Sequence, residues 1–409
     1  MLSSKPILQG IACFFLSLTP IVGECQVGSC DSLQEHRGAI SSEIEHIVGQ
    51  AIDNGSIPGA VVYVGCRDEV ILHRAYGRRS LVPAVESMTP DTLFDLASLT
   101  KVVATAPALM ILRQEGKIQL EDPVSRYLPP CRRGALRDVS IRHLLTHYSG
   151  LPSGFPPSVV RRVSSANVVD LICSQKLRAP PGRRFIYSDL GFILLGKVVE
   201  NVSGMSLDQF ATERLFLPMG MNQTRFAPEA ALTTRMAPAG RRRDGSILRG
   251  RVQDRIAARL NGVAGHAGLF STAEDMAIYC RWLLGPPTSQ TNVILESGSV
   301  QEMTKPQSPS NMAEVRGLGW DIRSRYSSPR GCCFSDRSFG HTGYTGTSLW
   351  LDPDPRAFVV LLTNRLHPDG NANVTDLRSA VSDVVGRLLH PDAPVTAVSR
   401  PTDKSSPIP

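Results

Sequence analysis

Two different hydrophobic patterns alternate along the chain. Apolar residues recur every three or four positions over 41–53, which predicts an amphipathic helix. Two runs rich in β-branched residues follow, AVVYVGC at 60–66 and EVILHRAYG at 69–77, with two polar residues between them. Paired runs of this kind predict a β-hairpin. The next apolar segment predicts a helix over 98–116.

Helical patterns and loops rich in Pro and Gly fill residues 120–315. One of these helices, STAEDMAIYCRWLLG, is predicted to begin with a capping box between Ser271 and Glu274. Strand patterns then return in GLGWDIR, TSLWLDP and AFVVLLTN, and residues 373–390 are predicted to form a closing helix.

The strand-rich ends and the helical middle together predict an α+β fold. We expect one antiparallel β-sheet built from residues 39–95 and 316–392, flanked by helices. A mainly helical inserted subdomain takes up about 96–315, so one domain extends over 39–392. No internal repeat is evident in the sequence.

The two ends of the chain differ from this domain. Residues 1–23 combine a lysine, an apolar run and small residues, which predicts a signal peptide. We expect a flexible leader over 24–38 and a disordered tail over 393–409. Lipoprotein anchoring at Cys30, which ends the sequence VGSC, is the alternative to free export. No later stretch is long and apolar enough for a bilayer, so the exported protein is expected to lack a stable membrane span.

The charge and the cysteines exclude several classes. The 409 residues carry a net charge of +7, with 44 basic residues that are scattered rather than gathered with aromatic residues into a stripe. Nucleic-acid binding is therefore not expected. The nine cysteines form no CxxC pair, so neither a zinc site nor a disulfide-based scaffold is predicted, and their pairing stays open.

Three short motifs carry candidate chemistry. Ser98 and Lys101 are three residues apart, which on a helix places a hydroxyl beside an amine. A lysine whose pKa is lowered by burial or positive charge is able to activate such a serine. Tyr187 begins Tyr-Ser-Asp immediately before a predicted helix and is a candidate proton carrier. His341, Thr342 and Gly343 lie in GHTGYTGTSLWLDP, where glycines permit close approach of a substrate.

The order and spacing of these motifs resemble the serine β-lactamase and penicillin-binding protein superfamily. The tyrosine that opens the second motif is typical of the class C branch. The resemblance to this superfamily extends over roughly residues 40–390. The segments that carry it include TLFDLASLTKVVATAPALM, IRHLLTHYSGLP and PGRRFIYSDLGFILLG. NGVAGHAGLFSTAEDMA is similar to a subgroup related to D-alanyl-D-alanine carboxypeptidases.

The resemblance implies a role for several residues. Ser98 is the nucleophile that forms an acyl-enzyme, Lys101 activates it, and Tyr187 carries a proton to the leaving group or from the deacylating water. The backbone N–H groups of Ser98 and Tyr344 form the oxyanion hole. The site lies between a sheet domain and a helical domain, and neither a metal nor another cofactor is expected.

Two residues depart from the pattern of lactam-cleaving relatives. Asp189 stands where those proteins carry Asn, and an ionised Asp accepts hydrogen bonds but cannot donate them. It is therefore a candidate partner of Lys101. His341 stands where they carry Lys and is a weaker clamp for a substrate carboxylate. Both changes favour esterases or peptidase-like relatives. His266, in AGHAG, is predicted either to line the cleft or to be structural.

Two further interpretations compete with a serine hydrolase. A zinc site at His143 and His147, four residues apart, is disfavoured because no glutamate base accompanies them. A non-catalytic binding protein with this fold is the alternative function. For the enzyme, a small-molecule or peptide substrate is expected: a D-Ala-D-Ala peptide, a carboxylic ester or a β-lactam.

Overall fold

The computed structural model describes residues 29–285, 294–370 and 372–391. The signal peptide predicted at 1–23 and the tail predicted at 393–409 lie outside the described residues. No single helix in the described ranges has the length and apolar character needed to cross a membrane. The bent pair Asp189–Ser203 and Leu207–Met219, at 78° to each other, meets that test together, by length and composition.

The part of the chain that the structure describes contains eleven strands in two sheets. They are β1 Gly59–Cys66, β2 Glu69–Ser80, β3 Glu86–Ser87, β4 Phe94–Asp95, β5 Arg225–Phe226, β6 Leu269–Ser271, β7 Val315–Arg316, β8 Asp321–Arg323, β9 Phe339–Thr342, β10 Ser348–Asp352 and β11 Ala357–Thr363. The main sheet is antiparallel, with the order β3-β2-β1-β11-β10-β9-β8-β7. Strands from both ends of the chain thus meet where β1 pairs with β11, as expected for the α+β architecture.

Fourteen α-helical segments accompany the sheets in the described residues, and they are α1 Cys30–Glu35, α2 Arg37–Asp53, α3 Ala106–Gln114, α4 Val124–Tyr127, α5 Ile141–Leu145, α6 Pro157–Val160, α7 Val168–Cys173, α8 Asp189–Ser203, α9 Leu207–Ala211, α10 Leu217–Met219, α11 Arg255–Arg259, α12 Ala273–Leu284, α13 Ser297–Thr304 and α14 Thr375–Leu389. The predicted hairpin, the antiparallel sheet and the helical middle are confirmed.

Strand β1 separates two hydrophobic cores, because successive side chains of a strand point to opposite faces. Val61 and Tyr63 belong to the larger core, which also contains the apolar residues of α3 and α8. Val62 and Val64 belong to the second core, with apolar residues of α2 and α14. Both faces are covered, so all eight residues of β1 are buried.

The flexible leader predicted over 24–38 is wrong from Cys30 onward. Residues 30–35 form α1, and α2 begins at Arg37. Leu33 is fully buried in the second core, and Cys30 forms a disulfide with Cys66 of β1. Lipidation of Cys30 is contradicted as well, because its sulfur is bonded to another cysteine. A second disulfide joins Cys131 to Cys173.

Two local predictions also need correction. The helix expected over 98–116 is divided into a 3₁₀ turn at Ala97–Leu99, a π-helical turn at Lys101–Thr105 and α3. The cap of α12 is Thr272, whose hydroxyl accepts the Asp275 N–H, rather than Ser271. Ser271 is the last residue of β6, so its backbone is committed to a strand.

The sequence patterns did not predict the small three-stranded sheet, with the order β4-β6-β5. In it, Phe94 pairs with Ser271 and Asp95 pairs with Phe270. The sheet matters for function because β4 ends three residues before Ser98 and anchors the turn that follows.

Candidate active site

Ser98 and Lys101 lie together at the start of the helical part. Nζ of Lys101 is 2.8 Å from Oγ of Ser98. The intervening turn is tightened by Thr100, whose hydroxyl donates to the Ala97 carbonyl at 2.6 Å. Ala97 has a φ of +47°, which is a strained conformation for a residue with a side chain. The serine is therefore presented by a strained turn, as is common at reactive centres.

Asp95 holds this turn in place. Its carboxylate accepts the Ala97 N–H at 2.9 Å and the Gln253 N–H at 2.7 Å. Burial raises the pKa of Asp95 to about 6, against the lowering effect of the two backbone donors. The buried carboxylate thus fixes the backbone just before the candidate nucleophile and joins it to the loop at Gln253.

Lys101 is fully buried and lies beside an acid. Its Nζ is 2.7 Å from Oδ1 of Asp189 and 3.3 Å from the carbonyl oxygen of His266. Burial alone would lower the pKa of Lys101, but the charge of Asp189 and the nearby Tyr187 outweigh it, and the pKa is raised. The lowered pKa expected for an activating lysine is therefore contradicted: the amine is held as an ammonium.

Tyr187 stands beside the same ammonium. Nζ of Lys101 is 5.0 Å from the centre of the Tyr187 ring. That ring stacks on His147 with centroids 4.3 Å apart, and the rings of Tyr326 and His341 follow at 5.6 and 6.1 Å. Rings from three separate segments thus surround the candidate proton carrier and restrict its position.

His147 supports the second motif. Its Nδ1 accepts the Ser188 N–H at 3.1 Å, and its carbonyl accepts the Ile186 N–H at 2.9 Å. Burial and the charges of Arg316 and Lys101 hold the pKa of His147 well below its usual range. His143 acts elsewhere, since its Nδ1 accepts the Ser140 N–H at the start of α5.

The third motif is bonded to the Ser98 turn. Hydroxyls of Thr345 and Thr347 donate to the carbonyls of Asp95 and Leu96, at 2.6 and 3.1 Å. Gly343 packs directly against Leu96, and a Cβ at this glycine would stand 2.5 Å from the Leu96 oxygen. Both sides of the cleft are therefore joined by short, direct contacts.

Two arginines hold the backbone around Tyr344: Arg378, which is buried, and Arg365, which is half-buried. Arg378 donates to the carbonyls of Gly343 and Thr347, at 2.8 and 2.9 Å. Arg365 donates to the Tyr344 carbonyl at 2.7 Å and lies 4.8 Å from the centre of its ring. These contacts fix the segment that carries one of the predicted oxyanion-hole N–H groups.

His341 is a neutral group in this site. Its Nδ1 lies 2.8 Å from the Thr342 carbonyl, which only accepts, so Nδ1 carries the proton and Nε2 has a free lone pair. Burial and the charge of Arg316 hold the pKa of His341 well below its usual range. Nε2 is buried and has no partner among the described residues. It is thus able to accept a hydrogen bond from a ligand but not to pair with a carboxylate as a cation.

His266 contributes through its backbone. Its imidazole is buried and its Nε2 lies 2.8 Å from Oδ1 of Asp254. Only its carbonyl reaches Lys101. The sequence did not point to Asp95, Tyr326 or a supporting role for His147. The sequence HLLTHYSGL was a signal for His147 alone, since the contacts of Tyr326 with Tyr187 and of Asp95 with Gln253 join residues far apart in the sequence.

Comparisons with known proteins show what the whole chain is similar to. A family model described as Beta-lactamase matches residues 44–382. The chain is 32% identical over 376 residues to N-acetylmuramyl-L-alanine amidase of Bacillus subtilis, covering 81% of this chain and 83% of that protein. It is 31% identical over 392 residues to a putative D-alanyl-D-alanine carboxypeptidase of Salmonella typhimurium, covering 85% and 88%.

A solved structure shows the same fold. A class C beta-lactamase from Rhodobacter sphaeroides superposes with a TM-score of 0.69 at 21% identity, covering 85% of this chain and 99% of that one.

Proposed function

The chain belongs to the beta-lactamase family, and from this we propose that it is a serine hydrolase that cleaves an ester or amide through an acyl-enzyme on Ser98. The observation that carries the proposal is the 2.8 Å contact between Lys101 Nζ and Ser98 Oγ. A fully buried ammonium is costly unless it is paired, and here both of its closest side-chain partners belong to the candidate site.

Acylation needs a proton acceptor, and an ammonium has no lone pair to offer. Asp189 supplies the acceptor through Lys101. As Ser98 Oγ bonds to the substrate carbonyl carbon, its proton passes to Lys101 while Lys101 passes one of its own protons to the Asp189 carboxylate. Lys101 therefore keeps its positive charge after the transfer, and the Asp189 carboxylate becomes a neutral carboxylic acid.

The leaving group departs with a proton from the Tyr187 hydroxyl, and the C–N or C–O bond breaks. A water molecule then attacks the acyl carbon and gives its proton to the Tyr187 phenolate. Ser98 leaves as it regains its proton from Lys101, which recovers one from Asp189. Every group returns to its starting protonation state, and Lys101 stabilises the phenolate in between.

The backbone N–H groups of Ser98 and Tyr344 are the donors for the oxyanion. Preorganised donors contribute most when the surrounding backbone does not move during the reaction. The bonds from Thr345 and Thr347 to the Ser98 turn, and those of Arg365 and Arg378 to the third motif, support such rigidity.

Asp189 and the neutral His341 favour an ester or peptide-like amide over a β-lactam. Neither offers the donor or the positive charge expected in lactam-cleaving relatives. The names of the similar amidase and carboxypeptidase support an amide. Export, predicted from residues 1–23, fits a substrate outside the cell membrane.

The test compares wild type with Ser98→Ala on a short-chain p-nitrophenyl ester, nitrocefin and a D-Ala-D-Ala peptide. We expect turnover of the ester or the peptide, weaker turnover of nitrocefin, and loss of all activity in the variant. A fluorophosphonate probe should label wild type on Ser98 and leave the variant unlabelled. A wild-type protein that is inert on all three substrates and takes up no probe would instead be a binding protein.

A further inference from the structure

A cavity of about 750 Å³ lies in the loop region that precedes and includes α11. Five arginines line it, and they are Arg241, Arg242, Arg243, Arg251 and Arg255. No aspartate or glutamate stands among its lining residues in the described chain. The concentration of one charge in a single concave space sets this cavity apart from the scattered arginines of the rest of the sequence.

These arginines are largely unpaired within the protein. Arg241 forms an ion pair with Asp369 at 2.8 Å. The side chains of Arg242, Arg243, Arg251 and Arg255 make no hydrogen bond, and no ion pair within 4 Å, to any residue in the described ranges. Asp254, next to Arg255, is committed to its own helix and to His266. Asp244 also interacts electrostatically with Arg242. Five guanidinium groups held close together still repel one another, so an added anion would relieve the repulsion.

The wall of the cavity contacts Asp95, the residue that holds the turn before Ser98. Its lining residue Phe270 pairs with Asp95 in the small sheet, and its lining residue Gln253 donates to the Asp95 carboxylate at 2.7 Å. Asp95 holds the turn that carries Ser98. Hydrogen bonds through Asp95 therefore join the wall of the cavity to the turn that carries Ser98.

We propose that this arginine-lined cavity is a subsite for a multiply anionic part of the substrate, remote from the bond that is cleaved. The proposal rests on the serine hydrolase function proposed above. Guanidinium groups bind carboxylates and phosphates through paired N–H donors, and several of them in one cavity select ligands with more than one such group. Apolar lining residues such as Leu248 and Val252 would contact a hydrocarbon portion of the same substrate.

The first experiment measures binding alone, in Ser98→Ala, so that it does not depend on turnover. The probes are citrate, which carries three carboxylates, and inorganic pyrophosphate, titrated by calorimetry at two salt concentrations. We expect saturable binding that weakens with salt. The double variant Arg242→Gln, Arg243→Gln should bind roughly tenfold more weakly, because it removes two of the exposed guanidinium groups that would pair with the probe.

A matched control changes the same charge elsewhere. Arg133 and Arg323 are exposed, and their side chains likewise make no hydrogen bond or ion pair with any residue that the structure describes. Arg133→Gln with Arg323→Gln should therefore bind both probes as Ser98→Ala does. Citrate preference would identify carboxylates as the substrate group, and pyrophosphate preference would identify phosphates. Equal loss in both double variants, or no binding of either probe, would overturn the proposal.

The second experiment connects the cavity to catalysis. Two peptides ending in D-Ala-D-Ala are compared, one acetylated and neutral and one extended by two glutamates. We expect wild type to prefer the acidic peptide through a lower KM, and the Arg242→Gln, Arg243→Gln variant to lose that preference. An unchanged preference would reject the subsite. If no peptide is turned over by wild type, the hydrolase proposal fails on this substrate while the binding titration still decides the cavity.

Discussion

Oδ1 of Asp189 lies 2.7 Å from the buried ammonium of Lys101. This pair distinguishes the site from one that uses a neutral lysine as its base. Because Asp189 raises the pKa of Lys101 against the effect of burial, the resting enzyme holds a cation next to Ser98. In the proposed mechanism the proton of the serine therefore ends on Asp189, and the properties of this carboxylate should control turnover.

Replacing Asp189 with Asn tests this relay. The variant keeps the shape of the side chain but has no carboxylate to receive the proton, so kcat/KM at pH 7 should fall about 10²- to 10⁴-fold. The fall should lessen as the pH rises, because loss of Asp189 removes a cause of the raised pKa of Lys101 and frees its amine. Ester hydrolysis measured from pH 5 to 10 checks both points, with Asp189→Glu as the carboxylate-retaining control. Wild-type turnover at pH 7 in Asp189→Asn would rule out the relay.

Gly343 allows the third motif to lie against the Ser98 turn. A Cβ there would stand 2.1 Å from Oγ1 of Thr347 and 2.5 Å from the Leu96 oxygen, so Gly343→Ala must displace backbone on one side of the cleft. A displacement of about 1 Å should reduce kcat by about 10²-fold. The rate of fluorophosphonate labelling at Ser98 reports the same change. Gly298→Ala, in α13 with nothing within 4 Å of the added Cβ, should label at the wild-type rate.

Asp95 makes stability depend on pH. Its pKa is about 6 in the folded protein, above the unfolded value, so the folded state binds the proton more tightly. This stabilisation is fully present below the unfolded pKa and is lost as the pH rises through about 6. Between pH 7 and pH 4, the free energy of unfolding of wild type should therefore gain about 2 kcal/mol relative to Asp95→Asn. Urea unfolding of both proteins across this range measures it, and a constant difference would contradict the buried, titrating carboxylate.

The disulfide between Cys30 and Cys66 ties α1 to the centre of the sheet. Their sequence separation is 36 residues, and a cross-link over a loop of this size contributes roughly 2–4 kcal/mol. We expect Cys30→Ala with Cys66→Ala to lower the free energy of unfolding by that amount in the absence of reductant. Adding dithiothreitol should destabilise wild type more than this variant. Alkylation of Cys30 or Cys66 in the unfolded, unreduced wild type would show that the bond is absent.

Patterns local in sequence were sufficient for much of the molecule. The β-hairpin over 59–80, the closing helix and the two-ended sheet follow from the spacing of apolar residues, because strand and helix periods are read directly along the chain. The contact of Ser98 with Lys101 follows from their separation of three residues for the same reason. The order of the three motifs was enough to indicate the family.

Tertiary structure decided what those residues are able to do. The charge of Lys101 depends on Asp189, 88 positions later, and the position of Tyr187 depends on rings of His147 and Tyr326. The polar segment at 30–38 is ordered because a buried leucine and a disulfide attach it to β1. Such effects arise from burial and from charges brought together by folding. The sequence by itself determined the local elements and the reactive groups, while the fold set their protonation and their neighbours.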